Sequence, residues 1–383
     1  MYSGKRILFV SRHCGFNSGL ERYLYFTAAL LRSEGAQVWL CYFERNHDAK
    51  AFESIFDKSI QGPDLPDEHF DLAALHAVTS NEYLGKFLDK YGKSSALFIH
   101  NYEYFCPSQG KLLPGIHTPC KLKYHPFICG CCSLLRLVKG YKSFNGVLGR
   151  NFILFKDRLD YVRHFPRIVV TTKFMRDFLL AQKFSPNNMH VIPPAIPIPY
   201  RIEPKKPRKI PEILYIGPIS REKGVRLLID VLARLTLPFH AKIVGEGTMQ
   251  EKCMKAVRRY GIEEKVDFLP WATSPELYFE DTDIFVSPSI WEDPSNMGVA
   301  EASAWGLPVV AFNTGEIKNM IIDGKTGFAI PPRDINSMAQ CIDKLLADFS
   351  LRQTIGENAR QHITEIYTES RFMRGFERLL DNY

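Results

Sequence analysis

Residues 291–301, Trp291-Glu292-Asp293-Pro294-Ser295-Asn296-Met297-Gly298-Val299-Ala300-Glu301, set two carboxylates around the expected start of a helix near Asn296 or Met297. The first turn of a helix leaves backbone N–H groups without intrahelical acceptors. Those groups could meet a phosphate or a sugar hydroxyl. Glu301 could accept from both hydroxyls of a ribose, and Asp293 from hydroxyls of a second sugar. The same pattern also reads as an acidic loop that complements the helix dipole. Gly217-Pro218-Ile219-Ser220-Arg221-Glu222-Lys223-Gly224 offers two cations, Arg221 and Lys223, where a strand gives way to a helix. Cations there suit a diphosphate and the charge that grows on it as it leaves; the alternative is a charged surface loop. Gly245-Glu246-Gly247 is either a turn at a site rim, with Glu246 facing a ligand, or a plain turn. Gly15 to Gly19 follow an apolar run, so backbone N–H groups could approach a phosphate there. The G-x-G-x-x-G spacing of a dinucleotide fingerprint is missing.

These residues need a scaffold of strands ending at one edge. In the first half, strands are expected at Ile7–Val10, Val38–Phe43, Leu72–Ala77, Ala96–Ile99, Ile168–Thr171 and His190–Ile192, with Ser18 capping a helix between the first two. In the second half they are expected at Ile213–Ile216, Ala241–Val244, Val266–Leu269, Ile284–Ser287, Val309–Phe312 and Phe328–Ile330. Strands alternating with helices predict parallel sheets with crossover helices. Every candidate above falls at the carboxyl end of one of these strands, where open parallel sheets bind ligands. The proline- and lysine-rich stretch 198–211 reads as a stiff linker. It separates a first domain, 1–197, from a second, 212–365, and a C-terminal helix, 366–383, is expected to pack back on the first.

A chain of 383 residues suits two domains. Its composition, 45% hydrophobic and 24% charged, is that of a globular protein, without an apolar run of the ~18 residues a membrane span needs. The net charge of +7 permits an anionic partner. No basic recognition helix or RNA-stacking motif is found, so nucleic acid is not expected. The start of the chain reads as a first strand, not a signal peptide. The expected location is the cytoplasm, with the inner face of a membrane as a second surface. Residues 134–167 carry Arg136, Lys139, Lys142, Arg150, Lys156, Arg158, Arg163 and Arg167 among apolar side chains, which suits an interfacial helix on anionic lipid or an ordinary amphipathic surface helix. Five of nine cysteines cluster at Cys106, Cys120, Cys129, Cys131 and Cys132. Cys106, Cys120, Cys129 and Cys132 could form a structural zinc site, or all five are loop thiols. The second half is read as lacking a metal-binding Asp-x-Asp, with its cations taking over charge neutralisation, so no catalytic metal is expected.

Taken together, RILFVSRHCGFNSGLERYLYFTAALL at the start, IHNYEYFCPSQGKLL at 99–113, ILYIGPISREKGVRLLIDVL at 213–232, IVGEGTMQEKCMK at 243–255 and the segment 283–334 resemble the family 4 glycosyltransferases, retaining enzymes of the GT-B fold. The resemblance implies two Rossmann-like α/β domains facing across a cleft. It implies transfer of a sugar from a nucleotide-diphosphate sugar, UDP- or GDP-linked, to a glycan or lipid-linked acceptor, with no further cofactor. Lys223 takes the family's phosphate-binding position and Glu301 the second acid of its E-x7-E motif. The backbone at Asn296, Met297 and Gly298 meets the sugar and diphosphate, Gly15 and Gly19 close on the donor, and His100 points at the reacting sugar. The sequence departs from the family at Asp293, which replaces the first Glu, and at Pro218, which replaces an arginine that Arg221 is expected to stand in for. Pro194-Ala195 stands where the family has Asn-Gly. A sugar-nucleotide epimerase or hydrolase on the same fold, or a non-catalytic sugar-nucleotide-binding scaffold, are the alternatives.

Overall fold

The computed structural model describes all residues except 1, 17–18, 47, 108–110, 114–117, 139–149, 204, 273 and 382–383. Two compact units are present: Met1–Ala195 with Thr368–Tyr383, and Ile196–Tyr367.

In the first unit, Ile7, Leu8, Phe9 and Val10 are all fully buried. An uninterrupted apolar run of this kind can be satisfied only by a strand covered on both faces, as in a parallel sheet with helices on either side. It forms β1 (Arg6–Cys14), followed by β2 (Gln37–Arg45), β3 (Lys58–Gln61), β4 (Leu72–His76), β5 (Ser95–Ile99), β6 (Ile168–Val170) and β7 (Met189–Val191). The sheet order is β3-β2-β1-β4-β5-β6-β7, and every pairing is parallel. The edge strand β3 is absent from the expectation above. Its sequence, Lys-Ser-Ile-Gln, has no buried residue, as an edge strand can afford, and therefore carries no apolar signal.

The second unit holds β8 (Glu212–Ile216), β9 (His240–Val244), β10 (Val266–Leu269), β11 (Ile284–Ser287), β12 (Val309–Phe312) and β13 (Gly327–Ile330), in the order β10-β9-β8-β11-β12-β13. Its expected strands differ from these by at most one residue at an end, because each is a short apolar run closed by glycine, proline or a polar turn. In both sheets the order reverses direction beside the first strand. The chain leaves β8 for β9 on one side and returns to β11 on the other, and β1 sits likewise between β2 and β4. Loops that leave these neighbouring strands at a switch point diverge and leave a crevice between them.

One segment behaves differently from the expected division. Residues 198–211 belong to the second unit and are fastened to it, not strung as a free linker. Lys205 Nζ donates to the carbonyl oxygens of Phe279 and Thr282, and Arg208 pairs with Asp281 at 2.9 Å. Burial lowers the Lys205 pKa to about 8. At the other end, the chain re-enters the first unit. The helix Glu369–Asp381 buries Phe372, Phe376, Leu379 and Leu380 in the core that also holds Ile7, Phe9 and Leu24. Tyr2 Oη donates to Met373 O at 2.5 Å, and the buried Arg167 guanidinium donates to Leu379 O and Lys93 O. Arg167 and Arg158 therefore do not contribute to a basic outer face: both are buried, and only Lys156 and Arg163 of the eight basic residues in 134–167 are exposed among those whose side chains are described. Lys139 and Lys142 lie outside the described residues, as does Ser18. Among the described residues no helix is long and apolar enough to cross a membrane.

Candidate functional site

In the second unit the loops after β8, β9 and β11 are stitched together through their backbones. Gly217 N–H donates to Val244 O at 3.0 Å, Ile219 N–H to Glu246 O at 2.8 Å, and Ile290 N–H to Glu222 O at 3.0 Å. Such close approach leaves no room for side chains. A Cβ on Gly245 would collide with Gly217 O, and one on Gly224 with Pro288 O. Gly224 also has φ +68°, which glycine adopts without strain. The glycines therefore set the spacing between the two loops on either side of the switch point.

That spacing brings Lys223 to Asp293. Lys223 Nζ donates to Asp293 Oδ2 at 2.5 Å and lies 5.1 Å from the centre of the Trp291 ring. The Asp293 side chain is only 9% exposed and that of Lys223 25%. Asp293 is held on the backbone side as well: Ser295 N–H donates to its Oδ1 at 3.3 Å, and Glu316 N–H to its carbonyl at 3.1 Å. Gly315, at φ +56°, packs directly on Asp293, where a Cβ would strike its backbone. Three residues on, Asn296 caps the helix Met297–Ala304. Its Oδ1 accepts from Val299 N–H at 3.3 Å, and its Nδ2 donates to Ser287 Oγ at 2.9 Å. Gly298 lies in the first turn, its α-carbon facing Phe285, and Glu301 is buried one turn further along. Glu316, also buried, enters the same neighbourhood and was not foreseen, because a lone Glu after Asn313-Thr314-Gly315 has no helical or strand period to mark it. Arg221 is half-buried on the turn closed by Gly224 N–H to Arg221 O at 3.1 Å, whereas Glu246 is exposed.

One expectation is corrected here. Asp281-Thr282-Asp283 does carry the Asp-x-Asp pattern. It precedes β11, at the opposite end of the sheet from Lys223, and both carboxylates are engaged: Asp281 by Arg208 and Asp283 by Glu212 N–H at 2.8 Å. It holds β11 to β8 and has no part in the crevice.

In the first unit, Gly15 follows β1 with φ +122° and Gly19 opens the helix Gly19–Ser33. His100 follows β5, and its Nε2 lies 3.0 Å from Nδ1 of His76, the last residue of β4. The two rings stack at 5.3 Å with 24° between planes, and the Tyr23 ring meets His100 edge-on at 4.9 Å. His76 is fully buried. Desolvation, aided by the nearby His100, holds the His76 pKa well below its usual value, and burial lowers that of His100 to about 3. Both imidazoles are therefore neutral. Nε2 of His76 is buried with no partner among the described residues. A stranded lone pair there is less costly than a stranded N–H. The favoured tautomer thus has His76 Nδ1–H donate to His100 Nε2, which leaves the proton of His100 on Nδ1. His76 fell inside an expected strand and escaped notice as a site residue. Glu103, just past the next strand, escaped notice too; its own N–H closes a turn on Asn101 Oδ1 at 2.8 Å. Burial raises the Glu103 pKa to about 7 against the pull of Arg158 and Arg12.

Residues 199–362 match the family model described as glycosyl transferases group 1. The second unit belongs to this family. Over 160 residues this chain is 29% identical to an uncharacterized glycosyltransferase of Methanocaldococcus jannaschii, a stretch that covers 41% of each chain. Over 166 residues it is 32% identical to a glycogen synthase of Mycobacterium tuberculosis, covering 42% of this chain and 40% of the relative. The chain thus spans about two fifths of the curated relatives it matches. Among solved structures, Anabaena HepE in complex with UDP and glucose aligns over 98% of this chain and 99% of its own, with 16% identity and a TM-score of 0.73. A sucrose-phosphate synthase from Thermosynechococcus elongatus aligns over 98% of both chains with the same identity and TM-score. The fold is of the GT-B type. Lys223, Asp293 and Glu301 all lie within the matched stretch.

Proposed function

We propose that this chain is a retaining glycosyltransferase that binds a UDP- or GDP-linked sugar in its group 1 domain and passes the sugar to a glycan or lipid-linked acceptor. The observation that carries the reading is the Lys223–Asp293 pair at the switch point of β8 and β11, with the helix N-terminus at Met297 and the buried Glu301 beside it. A diphosphate adds negative charge at the ammonium of Lys223, with Arg221 on the same turn as the second cation. The first-turn backbone at Met297 and Gly298 meets the same anion. Glu301 accepts from the ribose hydroxyls, and Asp293, held by Lys223 and Ser295, accepts from the transferred sugar. Glu246 belongs to the rim, and Gly15, Gly19 and His100 are the residues this reading takes from the first unit. As the anomeric bond breaks, the developing charge on the diphosphate is matched by groups already in place, which is the main electrostatic route to rate. The leaving phosphate oxygen then accepts the proton of the acceptor hydroxyl on the same face, so configuration is retained.

HepE, with UDP and glucose in its crystal, supports a UDP-linked donor here. Relatives in capsular polysaccharide and lipopolysaccharide core biosynthesis support a glycan or lipid-linked acceptor. An acceptor of that kind favours action at the inner face of a membrane. The exposed Phe127, Leu134 and Leu135 on the helix Pro126–Val138 would face the lipid, with Lys156 and Arg163 nearby in sequence. The stereochemistry is tested by proton NMR of the sugar that the full-length protein releases slowly to water from an α-linked nucleotide sugar. The α-anomer should appear first and mutarotate afterwards. Initial release of the β-anomer would exclude retention.

A further inference from the structure

Cys106, Cys120, Cys129 and Cys132 come from three separate stretches of chain and line one cavity of about 30 Å³. That space admits a water or an ion and is far smaller than the several hundred Å³ of a small-molecule site. Each thiol is brought there by a local backbone device. Cys106 closes a turn after β5, its N–H donating to Tyr102 O at 2.9 Å. Cys120 is returned by an antiparallel bridge between Leu112 and Pro119, and its N–H donates to Lys111 O at 2.6 Å. Cys129 and Cys132 stand one turn apart on the helix Pro126–Val138, so they share a face. His125 N–H donates to Cys129 Sγ at 3.5 Å.

The cavity also has a cation in its wall. Lys111 is only 7% exposed. Its ammonium donates to Leu122 O and lies 5.3 Å from the centre of the Phe178 ring. An ammonium this deep calls for a countercharge. Residues 101–138 contain, among the described residues, one two-residue bridge and one helix as regular structure. Tyr102, Tyr104, Phe105 and Leu112 are buried, but from Leu113 to Leu135 no described side chain is, and Leu122, Phe127, Ile128, Leu134 and Leu135 are exposed. So little apolar burial gives this segment few contacts of its own, the situation in which a metal staple supplies order.

We infer that Cys106, Cys120, Cys129 and Cys132 hold one structural zinc ion. Zinc displaces four thiol protons to give a tetrathiolate of net charge −2, which Lys111 partly offsets. Among the described residues no three His, Cys, Asp or Glu side chains already stand at ligand separation. Binding therefore requires the four thiols to move inward from the cavity wall. Cys131, between two of the ligands, is exposed and does not line the cavity. The inference does not depend on the donor reading.

The test is zinc content per chain, by plasma mass spectrometry, of full-length protein purified without added metal or chelator. One zinc per chain is expected, released on titration with an organomercurial. Cys131→Ser should keep it, and Cys129→Ser and Cys132→Ser should each lose it. Should those variants fail to fold, cobalt(II) exchanged into the wild-type protein provides the second reading: sulfur-to-cobalt charge-transfer absorption with intense tetrahedral d–d bands. Zinc-free, folded wild-type protein without those cobalt bands would overturn the inference. So would iron in place of zinc, or zinc retained in Cys129→Ser and Cys132→Ser.

Discussion

Lys223 and Asp293 lie 70 residues apart in sequence and 2.5 Å apart in the fold. Their pairing gives the lysine two duties that mutation can separate. Removing the ammonium leaves Asp293 as a buried carboxylate with backbone donors only, so Lys223→Ala should cost about 2 kcal/mol of stability, less than a fully buried pair because part of the lysine is in water. Adding Asp293→Asn to Lys223→Ala should return most of that stability without returning nucleotide-diphosphate affinity. Chemical denaturation and calorimetric titration of the single and double variants would check it. Recovery of both together would mean that Lys223 acts only through Asp293. The His76–His100 pair carries a pH signature. Both pKa values are depressed in the folded state, so their contribution to stability is full above about pH 6.5 and declines as pH falls below it, by about 1.4 kcal/mol per pH unit for each proton that only the unfolded chain binds. Glu103, raised to about 7, works in the opposite direction over the same range, because there the folded state holds the extra proton. His76→Phe should therefore remove one proton from the uptake on acid unfolding relative to wild type, leaving the Glu103 component in place. Equal pH slopes in the two proteins would contradict a neutral buried His76. Asp293 and Lys223 stand out as candidates in the sequence because turns and strand ends mark them, and Glu301 because it follows them on the next helix. Their mutual pairing could not, since it depends on which strands are neighbours. His76 and Glu103 stayed hidden because a polar residue inside an apolar strand, or just past one, looks like any strand terminus until its burial is known.

At the scale of the elements, glycines govern how closely the β8 and β11 loops approach. Gly224 and Gly261 share a left-handed backbone, at φ +68° and +63°, but only Gly224 has a neighbour that a Cβ would strike. Gly261→Ala should cost about 1 kcal/mol, the strain of the conformation alone. Gly224→Ala should cost distinctly more and should weaken nucleotide binding, since Lys223 precedes it. Denaturation midpoints and nucleotide titrations of the two variants compare them directly, and equal destabilisation would refute the role given to Pro288 O. The elements themselves were readily legible where apolar runs are fully covered, as in β1, β8 and β11. They were illegible where a strand lies at an edge, as in β3, whose residues have no core to face. The segment 198–211 was misjudged for a related reason. Proline and lysine usually mean solvent, but Lys205 and Arg208 reach back to carbonyl oxygens and Asp281 of the second unit.

For the whole molecule, the chain begins and ends in the first unit. Ending it at Tyr367 would strip Phe372, Phe376, Leu379 and Leu380 from that core, each worth about 1.5–3 kcal/mol of burial. The sum, about 6–12 kcal/mol, is comparable to the whole margin of a typical domain. Truncation should unfold the first unit while the second, which loses no core residue, still melts cooperatively. Two calorimetric transitions reduced to one would show this, and an unchanged first transition would contradict it. The central claim concerns the second unit: that its switch-point crevice is a nucleotide-sugar site. The most direct measurement is calorimetric titration of UDP and of GDP into full-length wild-type protein and into Glu301→Ala. The account predicts saturable binding of at least one nucleotide to wild type, which at 100 times the dissociation constant would add about 2.7 kcal/mol of stability, and at least a tenfold weaker affinity in Glu301→Ala. Absence of binding to wild type, or the same affinity in both proteins, would contradict it.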